Sequence, residues 1–300
     1  MFVVTGATGH VGSVTSEALL ASGAKVRVIG RDPKTLERFS ANGGEPFVAD
    51  MTDAAALEKS FSGARAVLIM IPPNPSAPDV RAYQVAVSSA LASAIQKNGI
   101  THAVLISSTG AEQTEGTGVV LGLHGLEQKL EGIPGLNFLC LRCGYFMENF
   151  LPQVSILQSF GFMAGPLRGD LPLPMIATRD VGRVAAGSLI KLDFIGKQTR
   201  ELLGPTDVNY SEAAKIVGGA IGKPDLNYKQ LPAFILKPAL MGLGMSADMA
   251  SQLLEMCDAL NTEKMKPLEA RSERNTTLTT LEEFVTETFA PAYRDKTAGA

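Results

Sequence analysis

Three glycines set three apart, Gly6, Gly9 and Gly12, stand between an apolar triplet and an apolar helical stripe, and no other feature constrains this chain as strongly. Phe2-Val3-Val4 reads as a buried strand, and Val11, Val14, Ala18 and Leu19 recur at helical spacing until Gly23. A chain that turns from strand to helix in so few residues needs positions without a Cβ, for the turn and for close approach of backbone to a ligand. The N-terminus of the helix that follows offers unpaired N–H groups and a partial positive charge. A glycine triplet alone reads equally as an ordinary strand-to-helix turn. Here it follows a strand and opens a βαβ pattern, so Thr5-Gly6-Ala7-Thr8-Gly9-His10-Val11-Gly12 is expected to hold a dinucleotide's pyrophosphate.

The rhythm continues through the first half. Apolar runs at 2–4, 25–29, 46–48, 66–71, 102–106 and 137–141 read as buried strands. Between the fourth and fifth, Val80, Tyr83, Val87, Leu91 and Ile95 mark a helix that Asn98-Gly99 ends. Six strands with intervening helices predict an α/β fold, a Rossmann doubly wound parallel sheet over residues 1–150. Past residue 150, Pro152, Pro166, Pro172 and Pro174 break the chain. Thr178 and Asp180 are placed to cap a helix reaching Leu192, and Ser211 to open another ending at Ile221. Apolar helices are expected at 234–243, 247–260 and 280–289, and a frayed tail at 294–300. Residues 151–300 are thus expected to form a smaller, mostly helical substrate region over the carboxyl ends of the strands, with roughly 175–205 returning to the first domain.

Composition excludes several function classes. Hydrophobic residues at 45% and charged residues at 19% suit a globular protein with a sizeable core. A net charge of -3 offers no basic face for nucleic acid. No run approaches the roughly 18 apolar residues of a membrane span, so no membrane partner is expected. Three cysteines cannot all pair, which fits a reducing compartment, and the chain is expected to be cytoplasmic. Cys140 and Cys143 lie three apart in a strand and point to opposite faces, so neither a disulfide nor a metal site is expected there.

The end of the second strand selects the nucleotide. An NAD site usually carries an acidic residue there; this chain has Gly30-Arg31-Asp32. The Arg31 guanidinium suits a 2′-phosphate, and Lys34 adds charge at the next helix start. Asp32 keeps a ribose contact, and hence NAD(H), open, but NADP(H) is the expected cofactor. Asp50-Met51 ends the third strand along the adenine, or Asp50 caps the turn before residues 53–61. Ile71-Pro72-Pro73 ends the fourth, beside the pyrophosphate and ribose. After the fifth come Ser107, Ser108 and Thr109, whose hydroxyls either meet nicotinamide and substrate or bond the turn before Gly110. Methionines at 147, 163, 241, 245, 249 and 256 serve as an adaptable pocket lining or as core.

Taken together, the Thr5 to Gly12 loop, Arg31, Asp50, Ser107-Ser108-Thr109 and Gly144-Tyr145-Phe146-Met147-Glu148-Asn149 resemble the NmrA-like branch of the atypical short-chain dehydrogenase/reductases. The resemblance extends through Leu173-Pro174-Met175-Ile176-Ala177-Thr178-Arg179-Asp180-Val181 to Leu281-Glu282-Glu283-Phe284. That branch includes NADPH quinone oxidoreductases, triphenylmethane and azo-dye reductases, isoflavone-type reductases and redox-sensing regulators. The resemblance implies that the backbone of Gly144, Tyr145 and Phe146 faces the nicotinamide, with the two rings walling an aromatic substrate or packing between the two halves.

One departure is informative. Related extended enzymes use a tyrosine with a lysine four residues later, and none of Tyr83, Tyr145, Tyr210, Tyr228 and Tyr293 has one. At the corresponding helix stand Val120 and His124. Epimerase and alcohol dehydrogenase chemistry, which need that pair, are disfavoured. Hydride transfer to a quinone, azo compound or cationic dye remains open, with His124, Ser108 and Tyr145 as candidate catalytic residues and His124 placed either to contact the nicotinamide ribose or to donate a proton. His124 reads equally as a half-buried helix-edge histidine. A non-catalytic NADP(H)-binding redox sensor with a protein partner is the alternative. The chain is expected to be a monomer or homodimer.

Overall fold

The computed structural model describes residues 1–298. The first six strands fall where the apolar runs place them: β1 (Phe2–Val4), β2 (Val26–Gly30), β3 (Glu45–Val48), β4 (Ala66–Ile69), β5 (His102–Ser108) and β6 (Asn137–Cys143). Two corrections concern strand ends. β5 runs on through Ser107 and Ser108, and the chain forms a further short strand, β7 (Tyr145–Phe146), directly after β6. β1 and β4 are buried throughout because helices cover both faces of the sheet. β3, with Pro46, is an exposed edge.

Five helices link these strands: α1 (His10–Ala21), α2 (Pro33–Ser40), α3 (Ala54–Phe61), α4 (Val80–Lys97) and α5 (Leu121–Glu131). The carboxylates of Asp32, Asp53 and Asp79 accept backbone N–H bonds at the starts of α2, α3 and α4. Alternate residues of each strand feed two cores. Val4, Val28, Val104 and Leu141 pack on the α1 side, and Val3, Ile29, Val67 and Leu105 on the side of α3 to α5. Cys140 and Cys143 belong to opposite cores, and both are free thiols.

The second half begins with α6 (Gln153–Phe160), β8 (Met163–Gly165), β9 (Leu173–Ile176), α7 (Thr178–Lys191) and β10 (Lys197–Leu202). α7 packs on α1 at very close range. A Cβ on Gly182 would stand 2.7 Å from the Val14 Cβ, and the Thr15 hydroxyl donates to the Gly182 carbonyl at 3.2 Å. β10 then pairs in parallel with β6, so the sheet has seven strands in the order β10-β6-β5-β4-β1-β2-β3, not the six expected. Its sequence, Lys-Gln-Thr-Arg-Glu-Leu, carries no apolar signal because it is an edge strand. Residues 268–275 cover that edge: Leu203 N donates to Asn275 O at 2.8 Å, and Leu268 N donates to the buried Glu201 carboxylate at 2.9 Å.

The remaining elements are β11 (Asp207–Val208), α8 (Tyr210–Ile221), β12 (Tyr228–Gln230), α9 (Ala233–Gly242), α10 (Ala247–Asn261), α11 (Leu281–Phe284) and α12 (Ala290–Ala298). They build a third core around Phe150, Met163, Met175, Tyr210, Phe284 and Phe289. Three end assignments change. α7 is preceded by Ala177, not capped by Thr178 or Asp180, and α8 is capped by Asn209 in a capping box with Glu212 rather than by Ser211. The tail expected to fray from residue 294 is helical as far as Ala298; its last two residues lie outside the described ones.

Candidate functional site

The glycine loop has the geometry its spacing demands. Gly6 lies at φ +61°, and a Cβ there would stand 2.7 Å from the Met70 sulfur. A Cβ on Gly12 would stand 2.2 Å from the Gly6 carbonyl oxygen, so helix and turn meet backbone to backbone. Gly9 is different: a Cβ there would stand 3.4 Å from the Gly6 oxygen, an ordinary contact, and its open side lines a cavity. α1 starts at Gly9 with no side-chain cap and no acidic residue in its first turn, whereas α2, α3 and α4 are each capped by an aspartate. An uncapped helix start facing open space, with glycine where a side chain would intrude, fits a pyrophosphate.

That cavity measures about 760 Å³, within the usual range for ligand sites. It runs from Gly9, His10, Val11 and Gly12 past Met70, Ile71, Pro72 and Pro73 to the strand ends at Ser107, Ser108, Thr109, Gly144, Tyr145 and Phe146. Its far wall is apolar, built by Met249, Leu253, Met256 and Leu260 of α10, with Val120 and Leu123 beside them. Residues 263–267 close one side through Glu263, Met265, Lys266 and Pro267. Of the methionines singled out, Met249 and Met256 line the cavity, while Met147 and Met163 are core.

Gly6, Thr8, Arg31, Lys34, Asp50 and Met51 lie outside the cavity lining. Gly6 forms the turn, and exposed Thr8 sits against Gly30 at the end of β2. Arg31 is exposed after β2, near enough to Asp50 after β3 for its charge to act on that carboxylate. The Asp50 carboxylate accepts from the Thr52 hydroxyl at 2.6 Å and the Thr52 N–H at 2.8 Å. These bonds hold Asp50 below the usual carboxylate range, with Arg31 adding a smaller push the same way. Asp32 spends its carboxylate on Lys34 N at 3.0 Å, and Met51 is buried in the core.

The candidate catalytic groups are held by protein partners. Ser107 donates to Glu127 at 2.6 Å, Ser108 to the Thr109 carbonyl at 2.9 Å, and Thr109 to the Cys143 carbonyl at 3.3 Å. His124 Nδ1 lies 2.8 Å from the Ala111 carbonyl, which can only accept, so that nitrogen carries the proton. His124 is absent from the cavity lining; its neighbour Leu123 takes that place. The Tyr145 hydroxyl bonds that of Tyr210 at 2.7 Å, and burial pushes both phenols well above their ordinary range.

Sequence reasoning missed two supporting groups. Glu148 accepts bonds from Thr178 N at 3.1 Å and from its hydroxyl at 2.5 Å, capping α7 from a distant turn. Buried Glu127 pairs with Arg142 at 2.7 Å, and Arg142 reaches Glu112 at 3.1 Å. An arginine inside the apolar run Asn-Phe-Leu-Cys-Leu-Arg-Cys was the available signal, since such a charge requires a partner. For the α10 wall the available signal was Met249 and Met256, singled out as lining or core; Leu253 and Leu260 carried none, because their helix comes from over a hundred residues downstream of β5.

Fold and site together define a doubly wound α/β protein whose glycine loop and strand ends face one cavity. The NmrA-like family model matches residues 1–285, and the chain belongs to that family. Prestalk A differentiation protein A of Dictyostelium discoideum is 28% identical over 278 residues, 88% of this chain and 83% of that protein. Among solved structures, the Escherichia coli NADPH-dependent quinone oxidoreductase complexed with NADPH superposes with a TM-score of 0.78 at 23% identity, over 96% of this chain and 100% of that one. Citrobacter sp. triphenylmethane reductase complexed with NADP(H) gives 0.78 at 19%, over 96% and 99%. NmrA, a negative transcriptional regulator in complex with NADP, gives 0.74 at 17%, over 98% and 97%. At these identities the structural likeness establishes a shared fold.

Proposed function

We propose that this chain is an NADPH-dependent oxidoreductase that reduces a small, flat, conjugated acceptor such as a quinone, an azo compound or a cationic dye. One observation carries this reading: a single cavity joins the uncapped start of α1 to an apolar wall on α10, leaving room beside the strand ends where a nicotinamide would lie. Family membership supports it, as do solved neighbours described as NADPH-dependent quinone oxidoreductase and triphenylmethane reductase.

Thr8, Gly9, His10, Val11 and Gly12 hold the pyrophosphate in this account, with Gly6 shaping the turn beneath. Arg31, joined by Lys34, takes the 2′-phosphate, while Asp50 and Met51 border the adenine. NAD(H) fits less well because the Asp32 carboxylate is spent on α2. Ile71, Pro72 and Pro73 flank the riboses, and Ser107, Ser108, Thr109, Gly144, Tyr145 and Phe146 border the nicotinamide. When bound, the reduced nicotinamide supplies a hydride. The protein's own part is orientation and exclusion of water. The rings of Tyr145 and Phe146 and the α10 side chains enclose the acceptor, and no side chain is assigned to move a proton. His124 steadies the turn at Ala111 in this scheme rather than serving as an acid. A cationic dye then needs hydride alone, and a quinone takes its proton from water.

A redox sensor is the second reading, favoured by the protein partners already bound to each strand-end hydroxyl. Incubating pure protein with NADPH and a panel of quinones and dyes separates the two. Acceptor-dependent NADPH oxidation supports the reductase. Its absence with intact NADPH binding, together with unequal affinity for NADPH and NADP, supports the sensor.

A further inference from the structure

Among the described residues six side-chain hydroxyls belong to the cavity lining, and five of them are committed. Tyr83 donates to the Pro72 carbonyl at 3.1 Å, and Thr178 to the Glu148 carboxylate at 2.5 Å. Ser107, Ser108 and Thr109 donate to Glu127, the Thr109 carbonyl and the Cys143 carbonyl. A hydroxyl has one proton, so none of these five has another to offer a ligand. The sixth, Tyr145, bonds the Tyr210 hydroxyl at 2.7 Å, and two hydroxyls can share a bond in either direction.

Burial fixes that direction. Tyr210 is 4% exposed and absent from the cavity lining, with the rings of Phe150 and Tyr228 at 4.9 and 4.5 Å. The Tyr228 hydroxyl is spent on the Leu167 carbonyl at 2.8 Å. Tyr145 is therefore the one hydrogen-bond partner of the Tyr210 hydroxyl among the described residues. A buried O–H without an acceptor forfeits its only donor bond, whereas an oxygen with two lone pairs tolerates an empty one better. Tyr210 thus donates and Tyr145 accepts, which leaves the Tyr145 proton turned away from Tyr210. Tyr145 is only half-buried, and the exposed Asn149 side chain, also on the cavity, acts on its hydroxyl, so that hydroxyl stands at the cavity surface.

We propose that Tyr145 is the hydrogen-bond donor to the acceptor molecule and Tyr210 the positioning residue that sets its direction, so that the preferred acceptors carry an oxygen or nitrogen that becomes electron-rich on reduction. The inference rests on the reductase reading and narrows it to quinones and azo compounds, with cationic dyes disfavoured. A quinone that receives a hydride becomes a hydroquinone anion, its two electrons coming with the hydride from NADPH. The Tyr145 O–H stabilises that anionic oxygen beside the apolar α10 wall, where a hydrogen bond to charge is worth most. Burial pushes the phenol well above its ordinary range, so it keeps its proton and the anion takes one from water. A cationic triphenylmethane dye takes hydride at carbon and becomes neutral, so a donor there gains it nothing.

Binding of 4-nitrophenolate, which carries the charged oxygen of a reduced quinone, tests the pair without turnover. The full chain with saturating NADP is titrated with 4-nitrophenol at a pH where it is ionised, and with nitrobenzene as the uncharged counterpart. The wild type is expected to bind the phenolate about tenfold or more tighter than nitrobenzene. Tyr145→Phe should abolish that preference, and Tyr210→Phe should lower it about threefold or more. Both variants keep their rings, and the preference ratio, unlike Tm, does not respond to a loss of packing alone. With a 1,4-benzoquinone and NADPH, Tyr145→Phe should lose about 10–100-fold in kcat/KM. A wild type that binds the two probes alike, or a variant of either tyrosine that keeps the wild-type preference, would overturn the proposal even where quinones are reduced. A protein that oxidises NADPH with no acceptor, yet shows the phenolate preference and its loss in both variants, would support the donor pair and contradict the reductase reading instead.

Discussion

A Cβ on Gly12 would stand 2.2 Å from the carbonyl oxygen of Gly6, whereas one on Gly9 would stand 3.4 Å from the same oxygen. The two glycines of one motif therefore differ, the first being fixed by packing and the second free of it, with its open side on the cavity where the proposed pyrophosphate would lie. Gly12→Ala is expected to lose about 1–3 kcal/mol of stability through a backbone clash. Gly9→Ala should keep the wild-type Tm but bind NADPH at least about tenfold more weakly, a loss of roughly 1.4 kcal/mol. Thermal melts paired with fluorescence titration of NADPH check both, and equal Tm losses in the two variants would contradict the distinction.

Arg31 is exposed after β2, and its neighbour Asp32 already accepts from Lys34 N through Oδ1. Arg31→Ala should weaken NADPH binding about 10–100-fold, the worth of a charge-assisted contact of roughly 1.5–3 kcal/mol, and leave NADH binding almost unchanged. Titrating both cofactors gives the ratio. Parallel losses for NADPH and NADH would show that Arg31 does not meet the 2′-phosphate.

Glu127 holds both Arg142 and the Ser107 hydroxyl in a buried position. Removing one partner of such a pair is costly, so Glu127→Leu or Arg142→Met alone should each lose about 3 kcal/mol or more, while the two together should recover part of that. Chemical denaturation of the two single variants and the double variant measures the coupling. Strictly additive losses would mean the pair contributes little as a pair.

His102 opens β5, its ring set edge-on to Phe194 at 5.2 Å. Burial, with a smaller contribution from the Arg65 charge, holds its imidazole below the ordinary value of 6.5. A depressed folded-state value means that the fold favours the neutral ring. The contribution to stability is full above pH 6.5 and is lost as pH falls below it. Tm should therefore drop between pH 7 and 5, and His102→Gln should flatten that slope. An unchanged slope would assign the effect to other groups.

How much of this was legible depends on which physical signal each part carried. β1 and β4 announce themselves because burial on both faces demands unbroken apolar runs, and β2, β5 and β6 do so through runs broken only by Arg27, by the polar ends of β5 and β6, and by Arg142. The edge strand β10 is polar, and pairing with β6 rather than its own pattern makes it a strand. The glycine loop was readable because backbone sterics restrict those positions to one residue type. Asp50 was readable only as two alternatives, and its bonds to Thr52 show a local turn compatible with both. The apolar wall on α10, the cap that Glu148 supplies to Thr178, and the turning of His124 towards Ala111 depend on long-range packing that no local spacing encodes. The helix at 233–242 was foreseen as apolar; its lack of any buried residue was not, because hydrophobicity does not say which side is covered.

The central claim is that hydride passes from NADPH to an acceptor held against the strand ends. The most direct test is a single turnover with NADPH deuterated at the transferring carbon and a cationic triphenylmethane dye, whose central carbon keeps what it receives. Mass spectrometry of the leuco product should show one deuterium there, with none incorporated from deuterated water when unlabelled NADPH is used. A protein that binds NADPH yet reduces neither this dye nor a panel of quinones and azo compounds, or that yields a leuco product without the label, would contradict the account.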